Sequence, residues 1–256
     1  MGAITLPGLV QVLLAARREN QPADPSGWEV ALAQADDAYA VQQQVAEALG
    51  WFPDGTPRHW KSGGPSRGVV LTHAPLAPSG VRTSPADFTD LHFNAPGIEA
   101  EIALRIGRDV TPAQAAMLTP ESAAGLVDAM TVSIELVDSR WRNGPNAPAL
   151  LRLADSQLHG ALALGEWVPY PPAHPWKTQR CEVRIADRTI DKTGTHPLGE
   201  PAWLLAAWLR HATRFGGSVA AGSVVTTGSW CGILPIQPGE TVTVSFPGIG
   251  GAELTI

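Results

Sequence analysis

Cysteine and clustered positive charge are scarce in this sequence. The chain of 256 residues has two cysteines, Cys181 and Cys231, which stand far apart. Isolated cysteines of this kind provide neither a disulfide framework nor a zinc site. The formal net charge is −6, and no run of Lys and Arg offers the contacts that nucleic-acid phosphates need. We therefore expect no nucleic-acid partner.

Long apolar runs are missing as well. No stretch reaches the roughly 18 apolar residues that a membrane-spanning helix needs. The apolar run at 9–16 follows no basic segment and precedes no clear cleavage site, so it indicates a helix rather than a signal peptide. The sequence also has no G-x-G-x-x-G, Walker, G-x-S-x-G or H-E-x-x-H motif. We expect a cytoplasmic protein with no membrane partner.

What the sequence does contain is a strand pattern that carries two carboxylates. Between residues 98 and 106 the apolar side chains fall on even positions, and the charged Glu99, Glu101 and Arg105 fall on odd ones. This alternation predicts a β-strand with Glu99 and Glu101 on one face. Their mutual repulsion must be offset. A hard divalent cation such as Mg²⁺ or Mn²⁺ would do so, and so would a solvated face with Arg105 as the partner.

A third carboxylate, Glu135, lies inside the apolar strand pattern at 130–138. A carboxylate in a buried strand must be paired, protonated or bound to a metal. The alternative is an edge strand on which Glu135 faces solvent.

Two glycine-containing segments carry further candidate residues. Lys61 lies between Trp60 and a glycine pair in a stretch, 50–68, that has the composition of a loop. It suits an acid or base beside an aromatic ring, or an exposed lysine whose stem packs on Trp60. In 227–232, backbone amides and the Ser229 hydroxyl suit a carboxylate ligand, although a plain tight turn explains the same residues.

These segments together resemble the hydratase/decarboxylase branch of the fumarylacetoacetate hydrolase superfamily, which includes 2-oxopent-4-enoate hydratases and 4-oxalocrotonate decarboxylases. The most specific match is the Glu-x-Glu strand followed by Ile-Glu-Leu-Val-Asp-Ser-Arg at 134–140. The matching segments run in family order over nearly the whole chain: 37–42, 60–63, 98–103, 107–109, 134–140, 154–155, 160, 198–199, 207–209, 221–222, 227–229 and 235–239.

The resemblance implies an α+β fold. A helical N-terminal part, residues 1–68, would pack on a mixed β-sandwich roll of the fumarylacetoacetate hydrolase type, the catalytic domain at 69–256, with peripheral helices. Proteins of this family are usually homo-oligomers, and this one would be a homo-oligomer that could associate with an aldolase or decarboxylase of the same pathway.

The resemblance also implies a metal site and its surroundings. Its metal ligands would be Glu99, Glu101 and Glu135, which would bind one Mg²⁺ or Mn²⁺ that chelates a 2-oxo acid and polarises its ketone. The remaining residues that match family positions would be catalytic (Lys61, Asp155) or substrate-binding (Lys61, Gly228, Ser229). The sequence departs from the family pattern at 59–65, 156–159 and 230–231, where the pocket lining would select substrate and reaction.

The expected function is that of a hydratase that adds water to a 2-hydroxy-2,4-dienoate to give a 4-hydroxy-2-oxo acid, as in aromatic meta-cleavage catabolism. Decarboxylation of a 4-oxalocrotonate-type 2-oxo acid is the first alternative. An acylpyruvate hydrolase is a further one, but it typically needs a His/Glu pair to activate water, and the scattered histidines show no such pair. A non-catalytic partner subunit is the last alternative.

Overall fold

The computed structural model describes residues 4–171 and 173–256, so the first three residues of the predicted N-terminal part lie outside it. Six α-helices occur within the described residues: α1 Leu6–Glu19, α2 Ala35–Ala48, α3 Pro112–Ala116, α4 Pro120–Ala124, α5 Ala149–Ala154 and α6 Leu205–Ala212. Local signals explain several of their starts. The Thr5 hydroxyl accepts a hydrogen bond from Gly8 N at 3.2 Å, and Thr111 and Thr119 cap α3 and α4 with proline at the first helical turn.

The same residues contain fourteen strands: β1 His59–Gly63, β2 Thr72–Pro75, β3 Val81–Thr83, β4 Ala86–Asp87, β5 Gly97–Ile106, β6 Val127–Val137, β7 His159–Leu164, β8 Val168–Pro169, β9 Arg180–Ile185, β10 Arg188–Thr193, β11 Val224–Thr226, β12 Leu234–Pro235, β13 Thr241–Phe246 and β14 Gly250–Thr255. As far as the described residues go, nine strands form one sheet in the order β2-β1-β11-β5-β6-β7-β3, with β12 beside β5 and β8 beside β6. The second sheet has the order β10-β9-β13-β14-β4.

The main core lies between the two sheets. The even-numbered side chains of β5, and those of β6 from residue 130 onward, including Ile98, Ile102 and Ile134, belong to one buried apolar cluster with side chains of the second sheet such as Val183 and Val244. Because side chains alternate between the faces of a strand, the odd-numbered residues of β5 and β6 lie on the opposite face. The sandwich thus leaves one face of its two longest strands for polar side chains.

A second core joins α1, α2 and α5. Buried side chains of α1 and α2, such as Leu13 and Val41, pack with Trp141 and Leu151. The Gln42 side chain on α2 ties these helices to the sheet, since its Nε2 donates to Leu153 O at 2.6 Å and to His73 O at 3.2 Å. The helices therefore pack against the end of the large sheet, and the predicted α+β fold is confirmed.

Two local predictions differ from the structure. The loop predicted at 50–68 contains strand β1, which pairs in parallel with β11 and antiparallel with β2; its sequence, His-Trp-Lys-Ser-Gly, has little strand propensity, so its neighbours in the sheet decide its conformation. The sequence at 201–214, which Gly216 and Gly217 follow, predicts one continuous helix, but this segment begins as a 3₁₀ turn at Pro201–Leu204 and continues as α6. The boundary at residue 68 between the helical N-terminal part and the catalytic domain stays a prediction. Strand β1 of the large sheet lies on the N-terminal side of that boundary. Among the described residues no helix has the length and apolar character to traverse a bilayer.

Candidate metal centre

The pairing of β5 with β6 brings the predicted carboxylates together. Glu99 on β5 is the direct register partner of Glu135 on β6, and Glu101 is the partner of Ser133. Residues opposite each other in an antiparallel pair project from the same face, and like charges there destabilise the sheet. One oxygen each of Glu99, Glu101 and Glu135 lies within 4.8 Å of the other two. We call these three side chains the acidic cluster.

Burial distinguishes the acidic cluster from a solvated strand face. Glu135 is fully buried and Glu101 is 2% exposed, while Glu99 is half-buried. Arg105, the alternative partner, binds Asp128 instead, with Nη2 donating to Oδ2 at 2.8 Å. Since β6 lies between β5 and β7, the alternative that Glu135 faces solvent on an edge strand is wrong.

Glu101 is held through one of its oxygens. Its Oε2 accepts hydrogen bonds from the Thr226 hydroxyl and from Gly228 N, the latter at 3.0 Å, and the Thr226 hydroxyl also contacts Ser133 Oγ at 3.0 Å. Gly228 has φ of 113°, a conformation that favours glycine and turns its amide toward Glu101. The amide predicted to bind substrate is therefore engaged by a carboxylate here.

Glu135 is also held through one oxygen. Its Oε1 accepts from Lys61 Nζ at 2.6 Å and contacts His159 Nδ1 at 2.9 Å. Its Oε2 is buried and has no hydrogen-bond partner within the described chain. Lys61, 8% exposed, donates further to Gln157 O at 3.1 Å, so the alternative of an exposed lysine packed on Trp60 is wrong.

A strained loop supplies two of these contacts. Ser156, Gln157 and Leu158 have φ of 51°, 55° and 64°, the left-handed region that non-glycine residues rarely occupy in succession. The turn directs Gln157 O toward Lys61 and leads into His159 at the start of β7. Backbone strain of this kind persists only where the surroundings enforce it, and it concentrates at functional sites.

The electrostatics of the metal-free cluster follow from burial and like charge. Burial raises the pKa of Glu99 to about 7 and that of Glu101 to about 8, and the Glu135 charge adds to both shifts. Burial would also raise the pKa of Glu135, but Lys61 and His159 hold it below its ordinary value. The three carboxylates raise the pKa of Lys61 despite its burial, so Lys61 is a cation here. One lysine against three carboxylates leaves the cluster short of positive charge.

Asp155 lies in a different polar cluster. Its Oδ1 accepts from Arg140 Nε at 2.5 Å and from Arg17 Nη2 at 3.2 Å. Its Oδ2 accepts from Arg140 N at 2.9 Å and from Ser139 Oγ at 3.4 Å. We call Asp155, Arg17 and Arg140 the arginine cluster. Both oxygens of Asp155 are occupied, which favours a structural task, and its predicted catalytic role stays a prediction.

Ser229 lies beside Glu99, where a hydrogen bond from its side chain acts to lower the pKa of that carboxyl. Gly232 O, at 3.2 Å, is the alternative acceptor for the single proton of this hydroxyl, whose oxygen accepts from Cys231 N at 3.3 Å. The segment is thus a tight turn that borders the acidic cluster. Its predicted contact with substrate stays a prediction.

The residue that sequence reasoning missed is His159. It was one of seven scattered histidines without metal-ligand spacing, yet it is 6% exposed and touches Glu135. Burial lowers its pKa, so it is neutral. The available signal was its position four residues after Asp155, in the segment that departs from the family pattern.

The donor set suits a hard divalent cation. Mg²⁺ and Mn²⁺ take carboxylate oxygens, and a buried carboxylate oxygen without a partner, such as Glu135 Oε2, is costly unless something binds it. A dication would also offset the repulsion among Glu99, Glu101 and Glu135. The acidic cluster therefore fits such an ion on its own geometry.

The fold and the acidic cluster belong to a known class of protein. Residues 64–256 match the family described as "Fumarylacetoacetate (FAA) hydrolase C-terminal". The chain therefore belongs to the fumarylacetoacetate hydrolase family, as the sequence motifs predicted.

Several relatives of the chain carry names from the expected branch, and a solved structure shares its fold. It is 28% identical over 255 residues to "2-keto-4-pentenoate hydratase 2" of Dechloromonas aromatica (strain RCB), covering 94% of each chain. It is 25% identical over 166 residues to "4-oxalocrotonate decarboxylase" of a Pseudomonas species, covering 64% of this chain and 62% of that one. The 4-oxalocrotonate decarboxylase of Pseudomonas putida G7, complexed with magnesium and adipate, superposes with a TM-score of 0.82 at 19% identity, covering 98% of this chain and 96% of that one. These relatives are named as enzymes, and the predicted resemblance to their branch is confirmed.

Proposed function

We propose that the chain is a divalent-metal-dependent hydratase that adds water to a 2-hydroxy-2,4-dienoate and yields a 4-hydroxy-2-oxo acid. The observation that carries the proposal is the acidic cluster, in which Glu99, Glu101 and Glu135 converge within 4.8 Å. These three residues would hold Mg²⁺ or Mn²⁺. The ion would supply Lewis-acid polarisation of a 2-oxo group. The relative with 28% identity over 94% of the chain supports hydration as the reaction.

The chain's own residues supply charge and proton handling around that ion. Lys61 is held as a cation beside Glu135 by a 2.6 Å contact, so it can orient a substrate carboxylate or hold a proton for transfer. The Ser229 hydroxyl, which borders Glu99, offers a further donor to a substrate oxygen. Burial of the cluster excludes bulk water, which strengthens these interactions.

Decarboxylation of a 4-oxalocrotonate-type acid is the second candidate, and the relative that is named as a decarboxylase favours it. Acylpyruvate hydrolysis fits less well. The His159–Glu135 contact at 2.9 Å is a histidine–carboxylate pair that the sequence did not reveal, but its carboxylate is assigned here to the metal rather than to a water-activating base.

The test combines metal binding with turnover. Manganese binding is measured by calorimetry, and consumption of 2-hydroxypentadienoate and 4-oxalocrotonate is followed with and without chelator. Wild type and Glu135→Gln are compared, with Glu253→Gln, an exposed glutamate on β14, as the control. We expect Mn²⁺ binding and dienoate hydration in wild type and in the control, and loss of both in Glu135→Gln.

The other outcomes separate the candidates. Release of CO₂ from 4-oxalocrotonate without dienoate hydration would assign the decarboxylase. Metal binding without turnover of either acid would overturn both reactions and leave the site to another 2-oxo acid or to a partner subunit. A folded wild type that binds no Mn²⁺ would overturn the metal site itself.

A further inference from the structure

The two oxygens of Glu135 have opposite surroundings. Oε1 receives Lys61 Nζ at 2.6 Å and His159 Nδ1 at 2.9 Å. Oε2 is buried and has no hydrogen-bond partner in the described part of the chain. Two donors on one oxygen fix the rotation of the carboxylate group. The free oxygen is therefore presented in a single direction.

The proton on His159 can be assigned from this contact. A carboxylate oxygen only accepts hydrogen bonds, so the hydrogen bond requires the proton on Nδ1. The ring itself is firmly placed, because it is 6% exposed and lies at the first residue of β7, in register with Val137 of β6.

The lysine alone would constrain Glu135 less well. Lys61 has a flexible stem and three donors, and it also serves Gln157 O at 3.1 Å. If Lys61 contacts substrate, as the proposed function has it, its hold on Glu135 weakens at that moment. The rigid imidazole of His159 has no such competing task among the contacts of the described residues.

We propose that His159 is a positioning residue for the metal: it holds Oε1 of Glu135 so that Oε2 is the atom that binds the divalent cation. The inference rests on the proposed metal site. Glu101 has the same arrangement, since its Oε2 is taken by Thr226 and Gly228 and its other oxygen is left for the ion. Residues that orient a metal ligand in this way commonly contribute about 10–100-fold to metal affinity.

The experiment uses substitutions that separate the two ring nitrogens. In His159→Asn the side-chain amide nitrogen takes the place of Nδ1 and keeps a donor for Glu135. In His159→Gln the amide lies near the former Nε2, and in His159→Ala no donor remains. The matched control is His73→Asn, because His73 is 4% exposed and its Nδ1 contacts Ser62 Oγ at 2.8 Å.

Manganese dissociation constants of all variants are measured by calorimetry on the full chain, and thermal unfolding without metal confirms that each variant is folded. We expect affinity to fall about 10–100-fold in His159→Ala and His159→Gln, and to stay within about threefold of wild type in His159→Asn and in the control. Rescue by Asn and not by Gln is the signature of a donor at Nδ1.

Each contrary result has a separate meaning. Unchanged affinity in His159→Ala would overturn the positioning role while leaving the metal site intact. Equal weakening in His159→Asn and His159→Ala would overturn it as well, since the restored donor would then have no effect. Absence of Mn²⁺ binding in wild type would instead refute the proposed function, which keeps the two failures distinguishable.

Discussion

The acidic cluster and the arginine cluster both contain buried carboxylates, but they differ in how many cationic and hydrogen-bonding partners those carboxylates have. In the first, Glu99, Glu101 and Glu135 share one lysine, and a buried oxygen has no partner. In the second, Asp155 faces two arginines, and each of its oxygens receives two hydrogen bonds. The loop at 156–158 links them, because it connects Asp155 of the arginine cluster to His159, which contacts Glu135 of the acidic cluster.

The difference shows which property of a buried acid indicates a ligand site. Burial alone does not, since Asp155 is fully buried too. Surplus negative charge and an unfilled acceptor leave the acidic cluster incomplete without a cation. The arginine cluster has surplus positive charge and no free carboxylate oxygen, which indicates a structural role. Arg17 on α1 contacts Asp155 at 3.2 Å and so connects the helical layer to the rest of the molecule.

The largest effect on stability is expected from the arginine cluster. Asp155→Asn removes the charge that pairs with Arg140 and Arg17, and uncompensated buried charges cost about 3–5 kcal/mol. Denaturant unfolding of the metal-free protein measures this loss. Arg17→Met is the comparison: it removes the contact from α1 but leaves Arg140 on Asp155, so the free energy of unfolding should fall by less than in Asp155→Asn, by about 1.5–3 kcal/mol. An Asp155→Asn protein with the free energy of unfolding of wild type would mean that the arginine cluster does not stabilise the fold.

A substitution in the acidic cluster should weaken metal binding without lowering the stability of the metal-free protein. Glu101→Gln keeps an acceptor for Thr226 and Gly228 but removes a charge that repels Glu99 and Glu135. We expect Mn²⁺ affinity to fall by more than about 100-fold, beyond the effect of orienting residues. The free energy of unfolding of the metal-free protein at pH 8 should stay unchanged or rise. Destabilisation by several kcal/mol in this variant would erase the contrast between the two clusters.

A change of pH is expected to have a smaller effect on the free energy of unfolding. Without metal, Glu99 and Glu101, with pKa values of about 7 and about 8 against an ordinary 4.5, hold protons that the unfolded chain has already released. The free energy of unfolding should therefore fall between pH 7 and 8 by about 1 kcal/mol, within the limit of about 1.4 kcal/mol per pH unit for each proton.

Variants and conditions isolate this pH dependence. It should shrink in Glu101→Gln and disappear with saturating Mn²⁺. Below about pH 6 the slope should reverse, because burial lowers the pKa of His73 to about 3, that of His196 to about 4 and that of His211 to about 2. The unfolded chain then takes up more protons on these three histidines than the folded chain retains on the two buried glutamates. Chemical unfolding at pH values from 5.5 to 8.5, compared in chelator and in Mn²⁺, measures both limbs. A flat profile in chelator would contradict the repulsion assigned to the acidic cluster.

The sequence predicted those parts of the fold whose pattern is local. The strand patterns over 98–106 and 130–138 predict β5 and β6. The pairs Thr111-Pro112 and Thr119-Pro120, each an N-cap residue followed by proline at the first helical position, predict the starts of α3 and α4. Strand β1 was missed, since its five residues have no alternation of their own and depend on β2 and β11 for their hydrogen bonds.

The site residues that belong to a recognisable sequence motif could be predicted. Those whose role depends on contacts between distant parts of the chain could not. Glu99, Glu101, Glu135 and Lys61 were named from motifs, and the structure brings them together. His159 and Thr226 reach the acidic cluster through pairing among β7, β6, β11 and β5, which sequence spacing does not encode. The arginine partners of Asp155 were likewise invisible, because Arg17 lies 138 positions away.

Strand β11 has a consequence for how the protein is made. It comes from residues 224–226 yet lies between β1 and β5, with Thr226 in register with Lys61. Thr226 and, just after the strand, Gly228 supply the contacts to Glu101. A ribosome that has synthesised every acidic ligand and the lysine still lacks the strand that orders them. Capture of the cation must then wait until residues 224–228 have been synthesised, so metal occupancy would report that this part of the sheet has assembled.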